Sequence, residues 1–346
     1  MLILNVMMVN KFSIPFIRFV ENEIDNQKVK YFCYGNIPPK DILSLSNSFY
    51  SKSILFRYIS MLYFMCKSER IVLHGLIDFK VVLLLFFNPF LLKKCYWLMM
   101  GVDLYSYKLD KSKKLYKLKE FFRSKVIRNI GFLVTSVDGD YELAKKWYKT
   151  IGKRLDMYTF PNSVYTPLST KDTSTKDTST KKKKKVLIGN SAEPTNNHME
   201  ILSSLKDFDI EGIEFYIPLS YGDKSYAKYI EKEAKLILGD NVIILTDFLD
   251  INEYNLILSE IDIAIFNHKR QQALSVIRTL LGNGAKVYMR RDVTSFDMFS
   301  KLGVKVFDFS DFNLNKDFYE RESNKDIITS FYSPTKLKLN LEELFS

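Results

Sequence analysis

Three apolar runs in the second half of the chain end on residue types that can hold a phosphate. Leu187-Ile188 is followed by Gly189-Asn190-Ser191, Tyr216-Ile217 by Pro218-Leu219-Ser220-Tyr221-Gly222, and Ile265-Phe266 by Asn267-His268-Lys269-Arg270-Gln271-Gln272. Gly189 admits a tight turn, and Asn197 can cap the next helix with Glu200 three positions on, a capping-box spacing. A capped helix start, with its free N–H groups and positive dipole end, seats a diphosphate. Ordinary strand-to-helix turns use the same residues, so a turn and a phosphate seat, with His198 beside it, stand side by side. The 218–222 loop reads by itself as a plain turn, with Tyr221 its candidate donor contact. Arg270 offers a bidentate cation, and Gln271 and Gln272 offer neutral donors for sugar or base. Lys269 and Arg270 at a helix start oppose the positive helix end unless an anion is present, which favours function there.

His74, His198 and His268 each fall just after an expected strand. A lone histidine is more often structural than catalytic, and no two of these have metal-ligand spacing, so no metal site is expected. Asp103, in "WLMMGVDLY", follows an apolar run. A carboxylate there can take a proton from an acceptor hydroxyl or cap a turn. Gly-x-Gly-x-x-Gly after a strand, Gly-x-x-x-x-Gly-Lys-Ser/Thr, Gly-x-Ser-x-Gly and Asp-x-Asp are all missing. The chain therefore lacks the signatures of dinucleotide dehydrogenases, P-loop enzymes, ordinary hydrolases and metal-dependent GT-A transferases.

Short aliphatic runs alternate with stretches of helical period along most of the chain. "LILNVMMV", "VKYFCYG", "RIVLHG", "CYWLMMG" and "GFLVTSV" are strand candidates in the first half, with helices around 41–66, 112–126 and 138–149. "KVLIG", "EFYIP", "VIILT", "DIAIF" and "KVYM" repeat the pattern in the second half, between helical stretches such as "NHMEILSSL" and "RQQALSVIRTLL". The expected fold class is α/β, with two doubly wound, Rossmann-like domains facing a cleft. Residues 1–165 form the first and 186–346 the second, and the final stretch "TKLKLNLEELF" can return to the first. Between them, 166–185 holds two copies of Lys-Asp-Thr-Ser-Thr and a lysine run, a solvated linker that cannot bury apolar surface.

A chain of 346 residues with 47% hydrophobic residues can bury two cores. Its net charge of +11 is concentrated in two places: residues 113–130 carry seven Lys and Arg against one Glu, and 171–185 seven Lys against two Asp. With no zinc-finger spacing or RNP-like signature, nucleic acid is not expected as a partner. In 113–130, Leu115, Leu118, Phe122, Val126 and Ile130 recur at near-helical spacing among basic residues. That pattern suits a solvated surface helix, or docking on an anionic membrane through Lys117, Lys119 and Arg123. The greasy window 81–100 is interrupted by Asn88-Pro89 and Lys93-Lys94 and is too broken to span a bilayer. Cys33, Cys66 and Cys95 read as reduced core cysteines, and "MLILNVMMVN" as a first strand and not a leader.

"LIGNSAEPTNNHMEIL", "IPLSYG" and "IFNHKRQQ", together with "HG" at 74–75 and "YWLMMGVDLY" at 96–105, resemble the N-acetylfucosamine transferases of glycosyltransferase family 56. The resemblance covers roughly residues 70–300 and departs from the family pattern at Met100, where a second Trp is usual, and in extra residues before Arg270. It implies a GT-B fold, with donor nucleotide on the second domain and lipid-linked acceptor on the first. It further implies transfer of a 4-acetamido-4,6-dideoxygalactose unit from dTDP to an undecaprenyl-diphosphate-linked saccharide. The product would belong to a bacterial surface glycan, enterobacterial common antigen or O-antigen, made by a peripheral protein at the cytoplasmic face of the inner membrane. Carried over, Gly189, Asn190, Ser191, Asn197, His198, Tyr221, Arg270, Gln271 and Gln272 lie on the donor side. His74 and Asp103 lie on the acceptor side, where the base belongs, and no metal cofactor is implied. A sugar-nucleotide epimerase or hydrolase on a similar scaffold, or a transferase with another donor and acceptor, uses the same loops.

Overall fold

The computed structural model describes residues 2–25, 27–112, 114–167, 183–314 and 324–346. It divides into two units, Met1–Val164 with Pro334–Ser346, and Tyr165–Ser333.

In the first unit the strands are β1 (Ile3–Val9), β2 (Val29–Gly35), β3 (Ser48–Tyr50), β4 (Arg70–His74), β5 (Cys95–Leu98), β6 (Phe132–Val134) and β7 (Lys153–Leu155). All pair in parallel, in the order β3-β2-β1-β4-β5-β6-β7. Between them run α1 (Ser13–Glu23), α2 (Lys40–Leu43), α3 (Ile54–Lys67), α4 (Phe79–Phe87), α5 (Val102–Leu109), α6 (Tyr116–Asn129) and α7 (Asp138–Tyr148). β1 is apolar at nearly every position because helices cover both faces of a parallel sheet, and Asn5 is its one polar residue. One core gathers Phe32, Leu73, Trp97, Met61, Val82 and Val126.

The second unit repeats the scheme with β8 (Lys184–Ile188), β9 (Ile213–Pro218), β10 (Val242–Leu245), β11 (Ile263–Phe266), β12 (Lys286–Met289) and β13 (Phe307–Asp308). Its order is β10-β9-β8-β11-β12-β13, again parallel. Its helices are α8 (His198–Ser204), α9 (Lys224–Leu238), α10 (Ile251–Glu260), α11 (Leu274–Gly282), α12 (Thr294–Lys301) and α13 (Lys325–Phe331). The last helix, α14 (Pro334–Phe345), belongs to the first unit, where Asn340 Nδ2 donates to the Tyr158 carbonyl and Arg70 Nη1 to that of Leu344.

Several expectations are corrected. The stretch 41–66 is not one helix: α2 ends after one turn, β3 intervenes, and Ser53 caps α3 by accepting from the Phe56 N–H. Strand β8 begins at Lys184, inside the span read as linker, most of which (168–182) lies outside the described residues. Cys66 is exposed, while Cys33 and Cys95 are buried. Window 81–100 is α4, a 3₁₀ turn at Pro89–Lys94 and β5, and among the described residues no helix is long and apolar enough to cross a membrane.

In each sheet the chain starts near the middle, fills one side and then crosses to the other. The reversal falls between β1 and β4 in the first unit and between β8 and β11 in the second. At such a point the loops leaving two neighbouring strands diverge and open a crevice at the carboxyl edge.

Candidate active site

The second unit's crevice is built by the three loops singled out from the sequence. Gly189 continues the ladder, its N–H donating to the Ile265 carbonyl at 2.9 Å. It then turns with φ +66, and a Cβ there would lie 2.5 Å from His198 Nε2, so only glycine fits beneath that ring. Asn190 Nδ2 donates to the Tyr221 hydroxyl at 2.7 Å, and Gln272 Nε2 donates to Asn190 Oδ1 at 3.4 Å. Thr195 Oγ1 donates to Gln272 Oε1 at 2.8 Å. The loops after β8 and β9 are also joined by backbone, with Ala192 N donating to the Tyr221 carbonyl and Asp223 N to the Ala192 carbonyl. Gly189, Asn190, Ser191, His198, Tyr221 and Gln272 thus come together, with Arg270 close enough to Tyr221 and His268 to act on both electrostatically, while Gln271 is tied to Arg270 through its carbonyl.

Asn197 does not join them, and its capping role is corrected. It takes a left-handed conformation (φ 57), makes no side-chain cap and bonds outward to Glu200. The residue before it, Asn196, is the one the sequence reading missed. Fully buried, it accepts at Oδ1 from the Asn190 N–H (3.0 Å) and from His268 Nε2 (3.0 Å), and donates from Nδ2 to Ser191 Oγ (3.1 Å) and the Glu193 carbonyl (3.1 Å). Accepting at Oδ1 assigns the proton of His268 to Nε2. Asn267, also fully buried, has neither amide atom paired, and His198 Nε2 is likewise unpaired. The helix after Arg270-Gln271-Gln272 begins only at Leu274, so these three residues sit on the loop itself.

Burial holds His198 neutral, with its pKa pushed down to about 4. His268 is driven well below its ordinary value by burial first and then by Arg270 and His198.

In the first unit His74 stands at the β1/β4 reversal. Its Nε2 meets Asn5 Oδ1 at 3.0 Å, its ring packs edge-on against Phe16, and its Nδ1 is buried and unpaired. Burial pushes its pKa down to about 3, so the ring is a neutral acceptor at Nδ1.

Asp103 is corrected as a candidate base. Only 2% exposed, it accepts at Oδ2 from Trp97 Nε1 (2.6 Å) and the Leu76 N–H (3.1 Å), and at Oδ1 from the N–H groups of Met100 and Leu104 (both 3.0 Å). Both oxygens are occupied, so the carboxylate ties the ends of β4 and β5 to α5 and has no room for a substrate hydroxyl. Asp103→Asn is expected to lower stability by about 3 kcal/mol, because an amide turns one oxygen pair into a clash of donors. The folded fraction should keep a kcat near the parent's; a large fall in kcat at unchanged Tm would restore Asp103 as the base.

Arg123 is corrected too. It is 8% exposed, bonds to Ser106 and stacks 5.7 Å over Tyr148, whereas Lys117 and Lys119 are exposed. Among the described residues no group of three His, Cys, Asp or Glu could hold a metal ion.

Two doubly wound parallel units, the second with a polar crevice at its carboxyl edge, place the chain in the GT-B class of fold. The same fold is seen in HepE of Anabaena in complex with UDP and glucose (10% identity, 100% of this chain and 99% of that one, TM-score 0.71). It recurs in sucrose-phosphate synthase of Thermosynechococcus elongatus (8% identity, 99% and 98%, TM-score 0.65). A putative UDP-N-acetylglucosamine 2-epimerase of Listeria monocytogenes is also similar (12% identity, 99% and 94%, TM-score 0.56). Within that class the chain belongs to the family described as 4-alpha-L-fucosyltransferase, glycosyl transferase group 56, which matches residues 23–335.

Proposed function

We propose that this glycosyltransferase moves a deoxyaminosugar of the N-acetylfucosamine type from a dTDP-linked donor to a polyprenyl-diphosphate-linked saccharide. The product serves a bacterial surface glycan such as enterobacterial common antigen or O-antigen, and the work is done at the cytoplasmic face of the inner membrane. The observation that carries the donor half is the crevice between β8 and β11, where Gly189–Ser191 and Arg270–Gln272 are held together by Asn190, Asn196 and Gln272. That HepE has been seen with UDP and glucose supports a nucleotide-sugar donor on the same fold.

In this reading the donor diphosphate lies over the Gly189–Ser191 turn. Arg270 neutralises the charge that grows on the leaving group, and Gln271 and Gln272 orient it. Those groups do the work a divalent ion does elsewhere, so transfer is expected without a metal cofactor. On the acceptor side the unprotonated Nδ1 of His74 takes the hydroxyl proton as the glycosidic bond forms. Asn5 fixes its tautomer from the other side. Lys117 and Lys119 face the anionic surface that carries the acceptor lipid.

Calorimetry with dTDP and UDP, each with and without EDTA, tests the donor half and names the base. Micromolar binding that survives EDTA is expected, and Arg270→Ala should weaken it about tenfold to a hundredfold, the range for one charge-assisted contact. Failure of both nucleotides to bind would sink the assignment.

A further inference from the structure

One edge of the first unit exposes more apolar surface than a solvated helix layer needs. The helices α3, α4 and α6 lead into β4, β5 and β6, which run parallel, so their N-terminal turns line the carboxyl edge of the sheet, the end that carries His74. On α3, Ile54, Leu55, Phe56 and Ile59 are 57%, 74%, 56% and 58% exposed. Ile77 before α4 and Leu118 on α6 are 56% and 52% exposed. The helices are joined side by side: the Tyr58 hydroxyl donates to Asp78 at the start of α4 (2.8 Å), and Lys119 Nζ lies 5.7 Å over the Phe79 ring. Single exposed aliphatics are ordinary, whereas a continuous row of them marks a contact surface.

The charge around this row identifies the occupant. Lys52, Lys80, Lys117 and Lys119 flank it and are exposed, against two half-buried acids, Glu120 on α6 and Asp78 at the α4 cap, the latter bonded to Tyr58. A second copy of the chain would bring lysine against lysine. A bilayer with anionic headgroups meets both features, accepting apolar side chains below and ammonium groups at the phosphates.

We propose that this edge inserts into such a bilayer, with the first two turns of α3 entering the boundary between headgroups and acyl chains. The inference builds on the reading of a lipid-linked acceptor and adds that apolar insertion through α3, more than the α6 lysines, is the main attachment. It also brings the membrane to the end of the sheet where His74 lies.

Flotation of the full-length protein with vesicles of phosphatidylcholine, alone and mixed with phosphatidylglycerol, tests it. The double substitution Leu55→Gln with Phe56→Gln should lower partition at least about tenfold on both compositions, since two large side chains no longer leave water. Lys117→Glu with Lys119→Glu should lower it only on the anionic vesicles, and less at high salt. Parent-like flotation of the α3 variant overturns the proposal, as does loss of a dimer in light scattering with flotation unchanged. Should the double variant fail to fold, Leu55→Trp with brominated lipid gives the answer: quenched emission supports insertion and unquenched emission refutes it. Nucleotide calorimetry reads the second unit alone, so its failure with flotation intact would strike the donor assignment and leave the insertion standing.

Discussion

Replacing Asn196 by alanine is expected to destabilise the second unit by about 2 to 6 kcal/mol and to abolish nucleotide binding. Asn196 makes four hydrogen bonds with no access to water. Its removal leaves the Asn190 N–H and the His268 Nε2–H buried without acceptors, each costing about 1 to 3 kcal/mol. Ser191 can turn its hydroxyl elsewhere, so the loss there is smaller. Urea unfolding at unchanged m, read beside dTDP and UDP calorimetry, separates the two effects. Asn196→Asp is the informative companion, since it keeps the Oδ1 acceptor for both donors and should recover part of the stability. A loss below about 1 kcal/mol for alanine would mean that the Gly189–Ser191 turn holds itself.

Acidification from pH 7.5 to pH 5 is expected to remove up to about 6 kcal/mol of stability, about two thirds of it from the second unit. The chain has three histidines, and burial lowers the pKa of each in the fold, to about 3 for His74, about 4 for His198 and well below the ordinary value for His268. The unfolded chain takes up protons near pH 6.5 while the folded one does not, so stability is complete above that value. It falls with pH until each folded pKa is reached. At pH 5, about 1.5 units below the unfolded value, each group costs about 2 kcal/mol. Thermal melts across this range measure the slope, and His198→Gln should flatten it by about one histidine's share. A slope of zero would show that the imidazoles reach solvent in the native state.

The alternation that identified two doubly wound units was legible because parallel strands buried on both faces must be apolar at almost every position, as in β11 and β12. Short edge strands carry no such mark: β3 and β7 are three residues each and only partly covered, and both were missed. The turn at Gly189 could be read because an apolar run that stops on glycine marks a positive-φ turn, whereas the helix start expected at Arg270 lies at Leu274 and the basic residues before it sit on a loop. Asn196 could not, because its role is set by partners at positions 190, 191, 193 and 268, and in the sequence it looks the same as Asn197. The capping box offered by Asn197 and Glu200 forms instead at Asp250 and Glu253, where the cap residue has a φ of −59 and not the left-handed 57 of Asn197. On α6 the apolar stripe is rotated from the one expected. Leu115 and Leu118 face out, and Arg123 is buried with its guanidinium over Tyr148, a long basic side chain in place of a hydrophobe that periodicity alone does not reveal.

The backbone bonds that stitch Ala192 to Tyr221 and Asp223 also set how the proposed donor pocket can be re-engineered or can diverge. Gly222 lies so near Ala192 that a Cβ would meet its carbonyl carbon at 2.6 Å, so the segment after β9 cannot accept a bulkier residue unless the one after β8 retreats. Chimeras that graft one of these segments from a relative would break the seam, whereas exchange of 189–198, 219–223 and 267–272 as one block would keep it. On the proposed donor site, the heritable unit of donor preference is a set of three separated segments, and recombination breakpoints between them should be the poorly tolerated ones.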